Sequence, residues 1–145
     1  MKKILMLIFA LTAMPLCSFA QSDDVVVSDG WARPILIACR PGSAYFHIEN
    51  HGSMADKLLG VSSSLAPRLE LHEHTMKDGI MKMGQVMSID VPGNGSVDLK
   101  PGGYHIMIFD STKQFAPGDE IDITLKFEKA GEIKKTVKVL AQPPK

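Results

Sequence analysis

Turn signals interrupt this chain about every ten residues, and that spacing leaves no room for a long helix. Pro41-Gly42, Asn50-His51-Gly52-Ser53, Lys77-Asp78-Gly79, Pro92-Gly93-Asn94-Gly95, Pro101-Gly102-Gly103 and Pro117-Gly118-Asp119 each bend or break the backbone. The runs between them alternate apolar and polar residues, the period of a strand with one buried face. Residues 44–50 set Tyr45, His47 and Glu49 against Phe46 and Ile48. Residues 68–75 set Leu69 and Leu71 against Glu70, His72 and His74. Ile121, Ile123, Leu125 and Phe127 alternate with polar residues over 120–127.

Shorter runs at 25–27, 57–61, 80–86, 96–99, 104–109 and 133–140 complete the set, with residues 34–43 as a loop and Trp31 after a Ser-Asp-Gly turn. The pattern predicts an all-β, antiparallel β-sandwich of Greek-key type with eight to nine short strands. Trp31, Tyr45, Phe46, Phe109 and Phe127 are its expected aromatic core.

Residues 1–20 read as a cleaved signal peptide. Lys2 and Lys3 precede an eleven-residue apolar run, Ile4 to Met14, and Ser18-Phe19-Ala20 offers a small-x-small cleavage site. Residues 21–145 are then one domain, large enough to bury a core without disulfides. Met14-Pro15-Leu16-Cys17 fits a lipobox poorly, so lipid anchoring is not expected. The leader carries two of the sixteen bases and none of the sixteen acids, so the mature charge is 14 − 16 = −2. No basic patch invites nucleic acid, and no second apolar stretch suits a membrane. Cys17 departs with the leader. Cys39 is left as a lone thiol in an oxidising compartment, and its expected role is that of a small buried hydrophobe.

The chemistry concentrates between residues 72 and 107. His72, Met83, His105 and Met107 are spaced H-x10-M-x21-H-x-M. Imidazoles and thioethers are borderline and soft donors, and they select monovalent copper over hard ions. His105 and Met107 leave one face of a strand, while Tyr104, Ile106 and Ile108 take the other face into the core. A two-residue hairpin loop at 77–78 pairs His72 with Met83. One at 78–79 pairs His74 with Met83 and leaves His72 on the diagonal. Both keep His72 and Met83 on one face, whereas a regular three-residue loop separates them. Each His must be deprotonated to ligate, so copper affinity is expected to fall as pH drops through about 6.5. His74 and Met76 share the face and read as bystanders, with a part as alternative or transfer ligands the lesser reading. Met54, Met81 and Met87 read as gap fillers, and His47 and His51 as surface residues.

These residues resemble the motif of the periplasmic copper chaperone family called PCu(A)C. The surrounding sequence is similar too, at Trp31-Ala32-Arg33, Pro41-Gly42, Tyr45, Asn50, Glu70-Leu71-His72 and Lys100-Pro101-Gly102-Gly103-Tyr104-His105-Ile106-Met107. The likeness spans about residues 22–140. It implies a cupredoxin-like fold, a Cu(I) site near the surface at His72, Met83, His105 and Met107, and a periplasmic location; a monomer is expected. It also implies delivery of copper towards the dinuclear centre of cytochrome c oxidase. The implied partners are subunit II of that oxidase or a thioredoxin-like copper chaperone. Some members carry a His- and Met-rich C-terminal extension that binds Cu(II); this chain ends in Gln142-Pro143-Pro144-Lys145.

Other classes fit less well. A blue-copper electron carrier needs a Cys beside two His, and Cys39 has no such spacing. No G-x-S-x-G or H-E-x-x-H motif suggests a hydrolase, and no enzymatic activity is expected. The remaining alternatives are a copper-buffering or tolerance protein and a sandwich module whose His and Met residues are incidental.

Overall fold

Strand β2 (Gly42–Asn50) is buried along nearly its whole length, on both faces, and the other strands are laid around it. The structure, a computed structural model, describes residues 23–145. The leader and its cleavage site therefore lie outside the described residues. The remaining elements are β1 (Val25–Ala32), β3 (Asp56–Ser62), β4 (Arg68–Lys77), β5 (Ile80–Gln85), β6 (Ile89–Val91), β7 (Gly95–Leu99), β8 (Tyr104–Phe109), β9 (Glu120–Phe127) and β10 (Glu132–Val139). No helix occurs among the described residues.

The ladder runs β5-β4-β8-β7-β2-β1-β10-β9-β3-β6, with β2 also bonded to β8. β2 divides its one edge between two partners. Phe46 to Asn50 pair with β7, and Gly42 to Ala44 pair with β8. The sheet folds over on itself, because β3 packs on β4, and β6 packs on β7 and β2, despite their distance along the ladder. The result is the expected all-β sandwich with ten strands. The additional strand, β6, has three residues, too few for any period to register. Most pairings are antiparallel, but β1 lies parallel to β10, and β7 and β8 share one parallel pair.

Ile48, Leu58, Ile106, Ile108, Ile121, Ile123 and Leu125 are fully buried between the layers, with Phe46 and Phe127 beside them. Trp31 and Tyr45 are buried as a ring pair 4.6 Å apart. Three local expectations change. The Ser28-Asp29-Gly30 segment is a bulge within β1, with Asp29 at φ 50° and the register shifting between Ser28 and Trp31. Phe109 is half-buried and sits beneath the Arg68 guanidinium, 4.1 Å from its ring centre. Cys39 is exposed, contrary to its expected burial. It occupies the loop before β2 at φ 63°, where its amide donates to the Ser111 carbonyl, and no core face is available to it.

His47 is held between carboxylates. Its Nδ1 lies 2.5 Å from Asp98 and its Nε2 3.1 Å from Glu49. The Asp98 hydrogen bond, and then that to Glu49, raise its pKa above 6.5. A raised imidazole pKa contributes stability that is complete below the unfolded value and lost as pH rises through the folded one. The urea midpoint of the wild type should therefore decline as pH rises above about 6.5, and His47→Asn should flatten that decline. An equal decline in the variant would assign it to other groups.

Candidate functional site

β4 is the middle strand of the site. On one side it pairs with β5 in the register His72↔Gln85, His74↔Met83, Met76↔Met81 and Lys77↔Ile80. On the other it pairs with β8, His72 opposite His105 and Glu70 opposite Met107. The hairpin loop is Asp78-Gly79, the second of the two registers open to the sequence. Both residues have positive φ, 53° and 74°, as a type I′ turn requires. Asp tolerates that region and Gly enters it freely, whereas a loop at 77–78 would force a lysine into it.

Directly opposed residues share a face, and faces alternate along each strand. Glu70, His72, His74 and Met76 of β4 therefore share one face with Met81 and Met83 of β5 and His105 and Met107 of β8. All four motif residues are on it. The structure brings three of them close. His105 Nε2 lies 3.2 Å from Met83 Sδ, and the His72 and His105 rings are 5.9 Å apart. Met107 is half-buried one pair further along, with Glu70 on one flank and Ser43 of β2 on the other.

The sequence around the bend fixes His105. Gly102, at φ +83°, turns the chain into β8. The Gly103 carbonyl then accepts a hydrogen bond from His105 Nδ1 at 2.9 Å and another from the His74 amide at 3.2 Å. With its proton on Nδ1, the neutral His105 ring presents the Nε2 lone pair to Met83. Neither atom can donate to the other in that tautomer. Two donors sharing one first-row metal ion at tetrahedral angles lie about 3.5 Å apart, close to the separation seen here. Burial, the largest effect, lowers the pKa of His105, and the neighbouring His74 and His72 act in the same direction. Proton competition at this ring begins below the pH of about 6.5 expected for a free imidazole.

His72 is oriented by a carboxylate that the motif does not include. Its Nε2 donates to Glu70 Oε2 at 2.9 Å, and Glu70 in turn accepts from Arg68 at 2.6 Å. The His72 hydrogen bond, then Arg68, hold the Glu70 pKa below the ordinary value. His72 Nδ1 is buried and has no hydrogen-bond partner. A buried ring nitrogen without a partner is costly in a closed core and suits a metal ligand. The same is true of His74 Nδ1, whose ring stacks on His105 at 4.8 Å. Glu70 sits two residues before His72, so strand phase could have placed it beside the ring. The His74 stack depends on β8 and has no signature in sequence. No three His, Cys, Asp or Glu side chains among the described residues gather into a metal-holding group; the convergence here is of imidazoles with thioethers.

Methionines expected as gap fillers are on the surface. Met54, Met81 and Met87 are all exposed. His51 is exposed as expected, while His47 is partly buried and paired.

Long-range ¹⁵N–¹H correlation of the metal-free protein should find His105 protonated at Nδ1 and bare at Nε2 near pH 7. The opposite tautomer would contradict the Gly103 anchor and remove the lone pair from Met83.

Residues 25–139 match the model of the family described as "Putative lipoprotein LpqE-like". The "Putative lipoprotein Lxx21020" of Leifsonia xyli subsp. xyli (strain CTCB07) is 34% identical over 110 residues, 74% of this chain and 64% of the relative. The chain spans about two thirds of the length of the curated relatives it matches, 64% and 66%. Among solved structures, the copper-bound PCuAC domain of PmoF2 superposes with a TM-score of 0.69 at 26% identity, over 82% of this chain and 94% of that domain. The apo PCuAC domain of PmoF1 does so with 0.69 at 25% identity, over 82% and 95%. The chain belongs to the LpqE-like family, and its fold is that of the PCu(A)C domain.

Proposed function

We propose that this protein is a copper carrier that holds Cu(I) through His72, Met83, His105 and Met107 and releases it by ligand exchange. The observation that carries this reading is the facing pair of bare donors, His105 Nε2 and Met83 Sδ, 3.2 Å apart, on the same face as His72, whose buried Nδ1 has no partner. The copper in the related PmoF2 domain supports the choice of ion. So does donor softness, because thioethers bind Cu(I) well and hard ions poorly.

Four neutral ligands leave the ion's positive charge on the site. Glu70, hydrogen-bonded to His72, offsets that charge without touching the ion. A carboxylate behind a ligating histidine fixes its tautomer and strengthens it as a donor. The absence of a thiolate from this donor set makes release feasible. A partner's thiolates, being softer, would take the ion through a shared intermediate. Neither electron transfer nor covalent bond formation is required.

The place of action is the periplasm, after cleavage of residues 1–20. The lipoprotein name of the Leifsonia relative agrees with a location outside the cytoplasm. The acceptor is a protein of the copper-delivery path to cytochrome c oxidase, either its subunit II or a thioredoxin-like copper chaperone, and the carrier works as a monomer. Among the described residues, no helix is long and apolar enough to cross a membrane.

Anaerobic Cu(I) titration against a competing chelator tests the reading. The wild type should take up one tight equivalent, and His72→Ala and Met83→Ala should each lose it. Retention of that equivalent in both variants would refute the site. Glu70→Gln should keep the stoichiometry and weaken affinity about 10- to 100-fold, the usual cost of removing such a supporting carboxylate. An unchanged affinity would deny Glu70 that role.

A further inference from the structure

Three donors on the site face have no part in the carrier set: His74, Met76 and Met81. They are arranged in order. Met76 and Met81 are directly opposed at the hairpin tip, His74 and Met83 form the next pair on that face, and His72 and His105 lie beyond. Exposure falls along the same line. Met76 is 65% exposed, Met81 58% and Met83 49%, whereas His72 is 8% and His105 3% exposed. The face therefore carries an unbroken series of soft or borderline donors from solvent to the buried imidazoles.

The geometry points to a second, more exposed station for a soft monovalent cation, made by Met76 and Met81 and joined to the buried pair through His74 and Met83. The inference rests on the carrier reading above and extends it to the route by which the ion enters and leaves. Opposed residues in an antiparallel pair have Cβ atoms about 4.5–5.5 Å apart, and each thioether has three rotatable bonds behind it. Two such sulfurs can close on one ion and leave its other positions open to an incoming thiolate. His74 supplies the intermediate step. Its Nδ1 is buried and unpartnered, and its ring lies against His105.

Charge placement favours the same face. Lys82 is opposed to Thr75, and Lys77 to Ile80, so both ammonium groups start from the reverse side of the hairpin. The thioether face carries no cation of its own there to repel an incoming one. Exposed methionines could alternatively serve only as an apolar surface for another protein. That role would not need bare donors to continue inward at His74 and Met83.

Transfer along the route involves no redox change. The ion leaves His72, His105 and Met107 while it keeps Met83 and gains His74, then exchanges these for Met81 and Met76, and finally exchanges those for two acceptor thiolates. Each sulfur or nitrogen donor departs with its own lone pair.

The test uses the mature chain with ¹³C-labelled methionine methyl groups, Cu(I), and a Cys-x-x-Cys peptide as acceptor. The wild type should bind one tight equivalent and then a second, about 100-fold weaker or more, with the Met76 and Met81 methyl resonances shifting during the second. In the doubly substituted M76L/M81L protein the first equivalent should keep its affinity, the second should vanish, and transfer to the peptide should slow about tenfold. Leucine preserves the apolar surface, so an effect of packing alone would not reproduce this. Unmoved Met76 and Met81 methyls beyond the first equivalent, with equal transfer rates in both proteins, would overturn the inference and leave the carrier reading intact. Slower transfer to a protein acceptor but not to the peptide would also overturn it, in favour of docking. Absence of the tight first equivalent in the wild type would refute the carrier reading itself.

Discussion

The register of β4 against β5 and β8 governs everything on the site face. Side chains alternate with a period of two, so a slip of one residue on either side would send half of the donors to the opposite face. On the β5 side the register is pinned by the Asp78-Gly79 turn, whose two positive φ values fit few other residue pairs. On the β8 side it is pinned by six consecutive pairs from Arg68↔Phe109 to Glu73↔Tyr104. The buried Ile106 and Ile108 hold β8 from behind, which leaves His105 and Met107 no choice of face.

That register also explains how two imidazoles are tolerated at such depth. Each is oriented by a partner on one nitrogen only, a carbonyl for His105 and a carboxylate for His72. The other nitrogen is left bare in both. In an ordinary core such atoms would be paired or replaced. Here His105 Nε2 faces the Met83 thioether, and the His72 ring lies 5.9 Å from that of His105. A cation that accepts those lone pairs would offset the cost of the bare atoms, which links the local energetics to the proposed cargo.

The hairpin provides the contrast. Every residue of β5 is exposed, and it is the outermost strand of the ladder, bonded on one edge alone. Strands with little buried apolar surface open and fluctuate most readily. A donor on that strand, Met83, meets a donor on a rigid interior strand, His105. One half of the pair can therefore move while the other is held, a property that suits the proposed release of an ion.

Much of this was legible in the chain itself. The turn spacing specified an all-β fold, and the alternation in β4, β8 and β9 predicted which residues point inward. The motif spacing singled out the four candidate donors, and strand phase placed His72 with Met83 and His105 with Met107. What remained hidden depended on neighbours distant in sequence. Three-residue β6 was too short to show a period. Both faces of β2 are covered because it is central, a placement that alternation along one strand does not reveal. The His74 stack and the exposure of Cys39, Met54, Met81 and Met87 likewise required the fold. Sequence determines local phase, because side-chain direction in a strand follows from backbone geometry alone. Only tertiary structure decides which phases meet, since that depends on which strands pair and on which of two adjacent turn registers the backbone can adopt without strain.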